Sequence, residues 1–530
     1  MADGSRSSSP QAPQGTSAAA WLRWAMPSVA DLILLALLGA LVFTGLSVKL
    51  LGDAGIGWHI RNGQQILATH EIPRVDPFST QIRQPWFAWE WLYDMAVGKL
   101  EAWCGLNGVV WLNAVVIAAV FAWTFRLLIA RGTNLFVAFV LVLLAMSAST
   151  IHFLARPHVL SWLFTLAWFW ILDAAEWKAV PNHRSRWLWA LPLSMMLWVN
   201  VHGGFLLGFV LLGVSWLGSL WTWMITRETR LEDSLQKIGS GHRLRQLTWI
   251  GLLSIAASFI NPYGWKLHAH IYFYLTNRFL MDHIDEFQSP NFHGLAQRCF
   301  LVILLIAVAA LAARGHKLRP SESLLGLFAV YAGLYASRNI PVSSVLLVLI
   351  MGPLLPSLDS WRFGQRMSAV DSQQRGHLWP IFATAAVLLI AANGGRVGSS
   401  QWMDAHFDPR RMPVEAVNFL EHSAVKAPLS VDYWGGYLIY RLYPHSKVVI
   451  DDRHDFYGDG FLSLYLKMIH VEPGWDWFLK GHSCLLLPRK AALAVVVSQT
   501  PGWKAVYSDD VAIVFMQTEQ REDTDRAPSR

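Results

Sequence analysis

Long apolar runs alternate with short charged stretches over most of this chain. Runs able to cross a bilayer as helices occupy 29–51, 108–130, 134–152, 158–175, 187–201, 203–225, 246–261, 299–313, 321–336, 340–356 and 378–396. They predict about eleven spans, several of them short enough to be re-entrant. The first run is too long for the apolar core of a cleavable signal and reads as an uncleaved first span.

Two regions depart from this rhythm. Residues 52–107 form a long connection rich in aromatic and polar residues, read as an outer loop. A helix is expected within Arg61 to Thr69 and an extended turn from Ile72 to Ser79, where prolines disfavour helix. An aromatic helix from Trp86 to Trp103 would lie in the membrane interface. Beyond residue 396 the pattern becomes that of a soluble domain, 397–518. It should hold an amphipathic helix from Pro413 to His422. Strands are expected at Leu429 to Val431, Lys447 to Ile450, Cys484 to Leu487, Trp503 onward and Val511 to Phe515. About 120 residues suffice for an α/β core. Residues 1–27 and 519–530 read as disordered by composition.

The chain has 530 residues, 54% hydrophobic and only 15% charged, against about 25% charged in soluble domains. This confirms the membrane reading of residues 28–396. The net charge of +7 needs no nucleic-acid partner, because Lys and Arg crowd into short loops on one side. Arg126, Arg131, Lys178, Arg184, Arg227, Arg243, Lys317, Arg319 and Arg366 belong to those loops. They place the N-terminus inside and, with an odd span count, the C-terminal domain outside. Cys104, Cys299 and Cys484 are scattered and form no disulfide or metal pattern.

With this topology, polar signatures gather on the outer face. They are Asp53 to His59, Arg156-Pro157-His158, Asn200 to Gly204, Asn261 to Gly264, and Ser337 to Pro341. Asp53 lies just past the first span, either as a general base or as a residue that ends the helix. His59 follows in the same glycine-rich stretch. Glu90, among aromatics, needs a partner or a substrate contact. Arg156 and His158 flank Pro157 at a helix start, where free N–H groups suit a phosphate; interfacial snorkelling also fits Arg156. Asn200 and His202 precede a glycine pair that serves a tight reversal or helix packing. Arg338, with Asn339 beside it, offers a planar donor fork for phosphate. Asn261 to Gly264 reads as a helix stop. Asp282, His283, Asp285 and Glu286 match no metal motif and read as a solvated loop. In the outer domain, Asp432 to Tyr437 and Asp451 to Asp455 each follow a strand, where ligand-facing loops of α/β sheets occur; turn chemistry with a local Asp–Arg pair also accounts for them.

The acidic residue after the first span, the long outer loop, the multispan body and the outer tail domain resemble the GT-C superfamily. These are membrane glycosyltransferases related to protein mannosyltransferases and the lipid A aminoarabinose transferase. The resemblance covers about 28–515 and implies an inverting transfer from a polyprenyl-phosphate sugar on the outer face of a bacterial inner membrane. Asp53 then matches the aspartate that activates the acceptor hydroxyl or amine, on a glycan, lipid or protein. His59, Glu90, Arg156, His158, Asn200, His202, Arg338 and Asn339 become substrate-binding candidates. No metal ligands are assigned, although a divalent metal is compatible with the superfamily. The neighbours of Asp53 are Gly52 and Ala54, so a second acidic residue would come from Asp76 or Glu90. Two other functions fit the architecture: a transporter or flippase for a lipid-linked substrate, and a non-catalytic envelope-polysaccharide assembly protein. The first is opposed by the lack of internal repeats and of mid-span ionisable residues.

Overall fold

The computed structural model describes residues 23, 25–81, 85–176, 183–226, 231–356, 362–374, 376–423 and 425–518. The two termini expected to be disordered lie almost wholly outside this set. Helices are α1 Val29–Phe43, α2 Leu46–Leu50, α3 Ile56–Thr69, α4 Trp91–Ala130, α5 Leu135–Ser149, α6 His158–Glu176, α7 Ala190–Trp198 and α8 Leu206–Ile225. They continue as α9 Leu231–Ser258, α10 Trp265–Thr276, α11 Arg278–His283, α12 Leu295–Arg314, α13 Pro320–Tyr335, α14 Ile340–Met351, α15 Arg362–Asp371 and α16 Leu378–Ala392.

Each apolar run of the sequence contains helix. By length and composition, six helical segments among the described residues can cross a membrane: Trp91–Ala130, Leu135–His152, His158–Glu176, Gly203–Ile225, Leu295–Lys317 and Ser337–Leu354. Helices α1 and α16 are apolar but shorter. Outward residues such as Leu193, Leu327 and Phe382 are exposed, as lipid-facing side chains must be when no water-driven packing covers them.

Local chemistry sets the helix boundaries. Ser28 and Asp31 form a reciprocal capping box at the start of α1, which satisfies orphan N–H groups. Asn134 caps α5 through Phe136 N–H at 3.0 Å. Pro341 sits in the first turn of α14, where its missing N–H costs nothing. Helix α4 is two helices joined across a kink at Gly105, with φ 61° and ψ −159°. That positive φ suits glycine and strains other residues. The interfacial helix expected from Trp86 therefore starts five residues later, at Trp91, and runs through the break into the next span. Trp86 to Glu90 are non-helical and form a wall of the cavity described below.

At the far end of α4 and α6, a buried ion network ties the bundle together. Arg131 pairs with Asp173 and Glu322, and Arg319 pairs with the same two carboxylates. Arg243 adds Glu176 at 3.3 Å. Charges at this depth persist because each has an opposite partner.

The C-terminal region continues with β1 Arg396–Val397, β2 Ser400–Gln401, α17 Val414–Glu421, β3 Leu429–Ser430 and α18 Asp432–Leu442. There follow α19 His454–Tyr457, α20 Asp459–Ile469, β4 Cys484–Pro488, α21 Ala492–Ser498, β5 Trp503–Ser508 and β6 Ala512–Gln517. The sheet order is β3-β4-β6-β5, with β3 and β4 parallel and the other pairs antiparallel. Lys447 to Ile450, expected as a strand, lies outside this sheet. Val448 pairs instead with Ser79 of the first loop. Asp432 to Tyr437, expected as a ligand-facing turn, opens helix α18.

The C-terminal domain is seated on the first loop by close backbone packing. A Cβ on Gly57 would come within 2.8 Å of Tyr440 Cβ, and one on Gly436 within 2.8 Å of Gly55 Cα. Only glycine allows α3 and α18 to approach so closely. Arg61 caps the contact by donating from Nε to the Tyr440 carbonyl at 2.8 Å. Beneath them Arg453 is buried, chelated by Asp451 at 2.8 and 2.6 Å and bound to Asp76 at 2.7 Å. Trp58, Phe78, Trp86 and Phe456 surround its guanidinium, adding cation–π attraction. Asp76 does form the expected turn, accepting from Phe78 and Ser79 N–H; its ion pair with Arg453 was not foreseen.

Candidate active site

A cavity of about 1130 Å³ lies between the first loop, the ends of the helices and the C-terminal domain. Asp53, His59, Glu90, Arg156, His158, His202, Arg338 and Asn339 all line it. Asn200 does not. Its Oδ1 accepts from Trp91 Nε1 at 2.8 Å, and its Nδ2 donates to the Met196 and Ile260 carbonyls. Asn200 thus ties the start of α4 to neighbouring helix ends, and its polar atoms are committed there.

Arg156 is the hub of the polar end. Its Nε faces Asp53 Oδ2 at 3.2 Å and its Nη2 donates to Asp452 Oδ2 at 2.8 Å. Asp53 Oδ1 also accepts Gly55 N–H at 2.9 Å. Trp58 Nε1 donates to the other oxygen of Asp452 at 3.1 Å. One guanidinium therefore sits between two carboxylates, one from each domain. The two carboxylates hold the Arg156 pKa up against the effect of burial. Burial raises Asp452 to about 6, with Arg156 pulling it down and Asp53 and Asp451 pushing it up. Neither snorkelling nor a free phosphate clamp describes this arginine: it is already ion-paired.

Arg338 is the second cation. It faces Glu286 at 3.4 Å and stacks on Phe287. Burial disfavours the Glu286 anion, but Arg338 and its neighbours outweigh it and keep the pKa low. Glu286 was read as part of a solvated loop, yet it lines the cavity. Asn339 donates to the Ala332 carbonyl at 3.0 Å, and His158 Nε2 donates to the His152 carbonyl at 3.0 Å.

Deeper in, Glu90 lies between two imidazoles. Its carboxyl oxygens are 3.8 Å from His59 Nε2 and 3.7 Å from His202 Nε2. His59 Nδ1 is hydrogen-bonded to Asp94 Oδ1 at 2.6 Å, and Asn62 donates to the other Asp94 oxygen at 2.6 Å. Burial first, then Arg156 and His202, keeps His59 well below the usual imidazole range. Burial also raises Glu90 to about 8, with Arg156 opposing and Asp455 adding. Burial therefore favours the protonated form of Glu90. A carboxyl whose folded pKa is raised stabilises the fold fully below its ordinary pKa of 4.5. That contribution is lost as pH rises to about 8, by up to about 1.4 kcal/mol per pH unit. The stability difference between wild type and Glu90→Gln should follow this slope in thermal unfolding from pH 5 to 8. A pH-independent difference would show that Glu90 is ionised throughout.

The C-terminal domain adds Tyr433, Asp452, Arg453, His454 and Asp455 to the cavity wall. Among these, His454 pairs with Asp432 at 2.7 Å and Asp455 with His270 at 3.0 Å. The local Asp–Arg pair expected within Asp451 to Asp455 is Asp451–Arg453; the reach of Asp452 to Arg156 has no local signal. Asp94 was also missed, although it stands one helical turn beyond Glu90, a spacing that puts two acids on one face. Among the described residues, no group of three or more His, Cys, Asp or Glu side chains is arranged to hold a metal ion.

The other flank of the cavity is apolar, with Leu206, Leu207, Val210, Phe328 and Val342. Tyr331 and Tyr335 also line it, yet they are 65% and 53% exposed. The cavity wall therefore reaches an exposed face beside α13.

No family profile matches the sequence, and no curated protein does. Solved structures do. An oligosaccharyltransferase from Archaeoglobus fulgidus, tethered to an acceptor peptide containing the NVT sequon, matches with TM-score 0.51 and 11% identity over 93% of this chain and 73% of that one. AglB, the archaeal oligosaccharyltransferase of that organism, in complex with an inhibitory peptide and a dolichol-phosphate, matches with TM-score 0.52 and 9% identity over 93% and 74%. ArnT from Cupriavidus metallidurans in the apo state matches with TM-score 0.51 and 13% identity over 94% and 98%. At these identities the likeness is one of fold alone, shared by this chain with the archaeal oligosaccharyltransferase and with ArnT.

Proposed function

We propose that this protein is an inverting glycosyltransferase that moves a sugar from a polyprenyl-phosphate donor to an acceptor hydroxyl or amine. The reaction would take place on the outer face of a bacterial inner membrane. One observation carries the reading: a single cavity holds two guanidiniums, Arg156 and Arg338, and beside them an apolar flank along α13. A lipid phosphate ester has both chemistries. Its tail would enter past α13 and its phosphate would meet the two guanidiniums, which stabilise the charge of the departing phosphate.

Arrival of the phosphate would compete with Asp452 and Glu286 for these cations. Asp452, whose pKa burial raises to about 6, can give way by taking up a proton. Asp53, engaged by Gly55 N–H and by Arg156, is suited to hold the acceptor group by a hydrogen bond at the reacting end. The dolichol-phosphate bound in the AglB structure is a ligand of the class proposed here. The sugar and the acceptor would be selected by the wall that the C-terminal domain supplies.

Native mass spectrometry of the gently solubilised protein tests this. A polyprenyl phosphate, or its glycosyl ester, should co-purify. Arg338→Ala should weaken that binding about tenfold or more, while Asp53→Asn should retain the lipid and lose transfer. Finding only ordinary phospholipids, under conditions that preserve polyprenyl lipids on a known transferase, would sink the assignment. Sugar transfer undiminished in Asp53→Asn would remove Asp53 from the reaction.

A further inference from the structure

Transfer to a hydroxyl releases a proton, and the phosphate assignment leaves its destination open. Asp53 is held by one donor on each oxygen, Gly55 N–H and Arg156, and the cavity holds further carboxyl groups. The deeper group of Asp94, His59, Glu90 and His202 has no part in holding the phosphate. It comes from three separate segments, α3, the start of α4 and the α7–α8 turn, and converges on the cavity.

The hydrogen bonds constrain the tautomers. His59 Nδ1 and Asp94 Oδ1 are 2.6 Å apart; with Asp94 as the carboxylate, the proton sits on Nδ1 and Nε2 is a bare acceptor. Gly204 N–H donates to His202 Nδ1 at 3.0 Å. Trp198 Nε1 donates to Ser161 Oγ, so the Ser161 hydroxyl is turned to the same His202 nitrogen at 2.8 Å. His202 therefore carries its proton on Nε2. Glu90 has an acceptor imidazole 3.8 Å from one oxygen and a donor imidazole 3.7 Å from the other. It is 12% exposed while His59 is 1% exposed, so a substrate meets the carboxyl and not the imidazole behind it.

We propose that Glu90 is a catalytic residue of the transfer and works as the outer member of a proton relay, Glu90–His59–Asp94, with His202 holding its second oxygen. The inference rests on the transferase reading. In the step, the carboxylic proton of Glu90 passes to His59 Nε2 while Glu90 takes the acceptor's proton. The acceptor oxygen bonds to the anomeric carbon as the carbon–oxygen bond to phosphate breaks, and that electron pair stays on the phosphate. The result is a neutral Glu90, an imidazolium at His59 and a carboxylate at Asp94. Pairing with Asp94 supports the new charge, as in other imidazole–carboxylate pairs. The 3.8 Å gap is of the kind that tightens when substrate binds. Arg156, Arg338 and Asp455 are the charges that act on Glu90 across the cavity.

Two measurements decide it. In the first, infrared titration of the protein in lipid nanodiscs, a protonated-carboxyl band near neutral pH should vanish in Glu90→Gln. Its midpoint should move by about one pH unit in His59→Gln. Absence of the band, or a midpoint indifferent to His59, would overturn the relay without reference to any substrate. In the second, the protein carrying its co-purified glycosyl lipid is allowed to transfer the sugar to water, and the bare lipid phosphate is followed by mass spectrometry. Glu90→Gln should slow this about 100-fold with the lipid still bound. His59→Gln and Asp94→Asn should each slow it about tenfold and shift its pH profile, and Glu90→Asp should recover part of the rate. A wild-type rate in Glu90→Gln, or an unshifted profile in His59→Gln, would refute the proposal. A protein that carries no glycosyl lipid at all would fail the transferase reading instead.

Discussion

Replacing Arg453 by Met should cost about 3–5 kcal/mol of stability, because it leaves two buried carboxylates without their cation. Asp76 and Asp451 are both fully buried. The same substitution releases the seat of the C-terminal domain, since Asp76 belongs to the first loop and Asp451 to the domain. Thermal unfolding of the solubilised protein, read with limited proteolysis in the irregular segment 402–408, should show a lower midpoint and a more readily cleaved domain. Arg453→Lys keeps the charge but loses the forked geometry, and should fall between the two. Adding Asp76→Asn and Asp451→Asn to Arg453→Met should recover much of the loss, because the unpaired charges go with the cation. A loss below about 1 kcal/mol for the single substitution would mean that water reaches this site and that the domain is seated by the glycine contact alone.

Arg156→Met should lower sugar transfer about 10²–10³-fold, the range for removing one preorganised charge-stabilising group. In the proposed reaction the guanidinium holds the donor phosphate and positions Asp53. Without it Asp53 and Asp452 face each other, so Asp452 should rise further above its present value of about 6. A carboxyl with a raised folded pKa favours the fold at low pH and loses that support as pH climbs through the folded value. The variant should therefore gain more stability than wild type when the pH is lowered from 8 to 6. Asp452→Asn in the variant background should abolish the difference. Transfer within threefold of wild type in Arg156→Met would show that Arg338 alone manages the phosphate and that Arg156 is a strut between domains.

Both predictions concern long-range ion pairs, and these mark where the sequence stops being readable. The apolar runs were legible because helix and bilayer impose a period and a length that each segment must satisfy by itself. The polar signatures at helix ends were legible because charge is too costly within a span to be scattered. Asp53, Arg156, His158, His202 and Arg338 stood out for that reason. The start of α4 was misplaced by five residues because aromatic content marks an interface without saying where the backbone turns helical. Asn200 drew attention as a polar residue at a helix end, and that is what it serves: it bonds the helix ends to one another.

What the sequence alone determined is the membrane class, the helical body, the soluble C-terminal region and the short list of polar residues at the helix ends. Each of these follows from composition and periodicity over at most a few tens of residues. Only the tertiary structure decided which carboxylate meets which cation. Arg156 reaches Asp452 across 296 positions, and Arg453 reaches Asp76 across 377. Only it showed that Glu90 lies between the imidazoles of His59 and His202. Such contacts depend on how helices and domains pack, and nothing in the neighbouring residues encodes the identity of a partner hundreds of positions away.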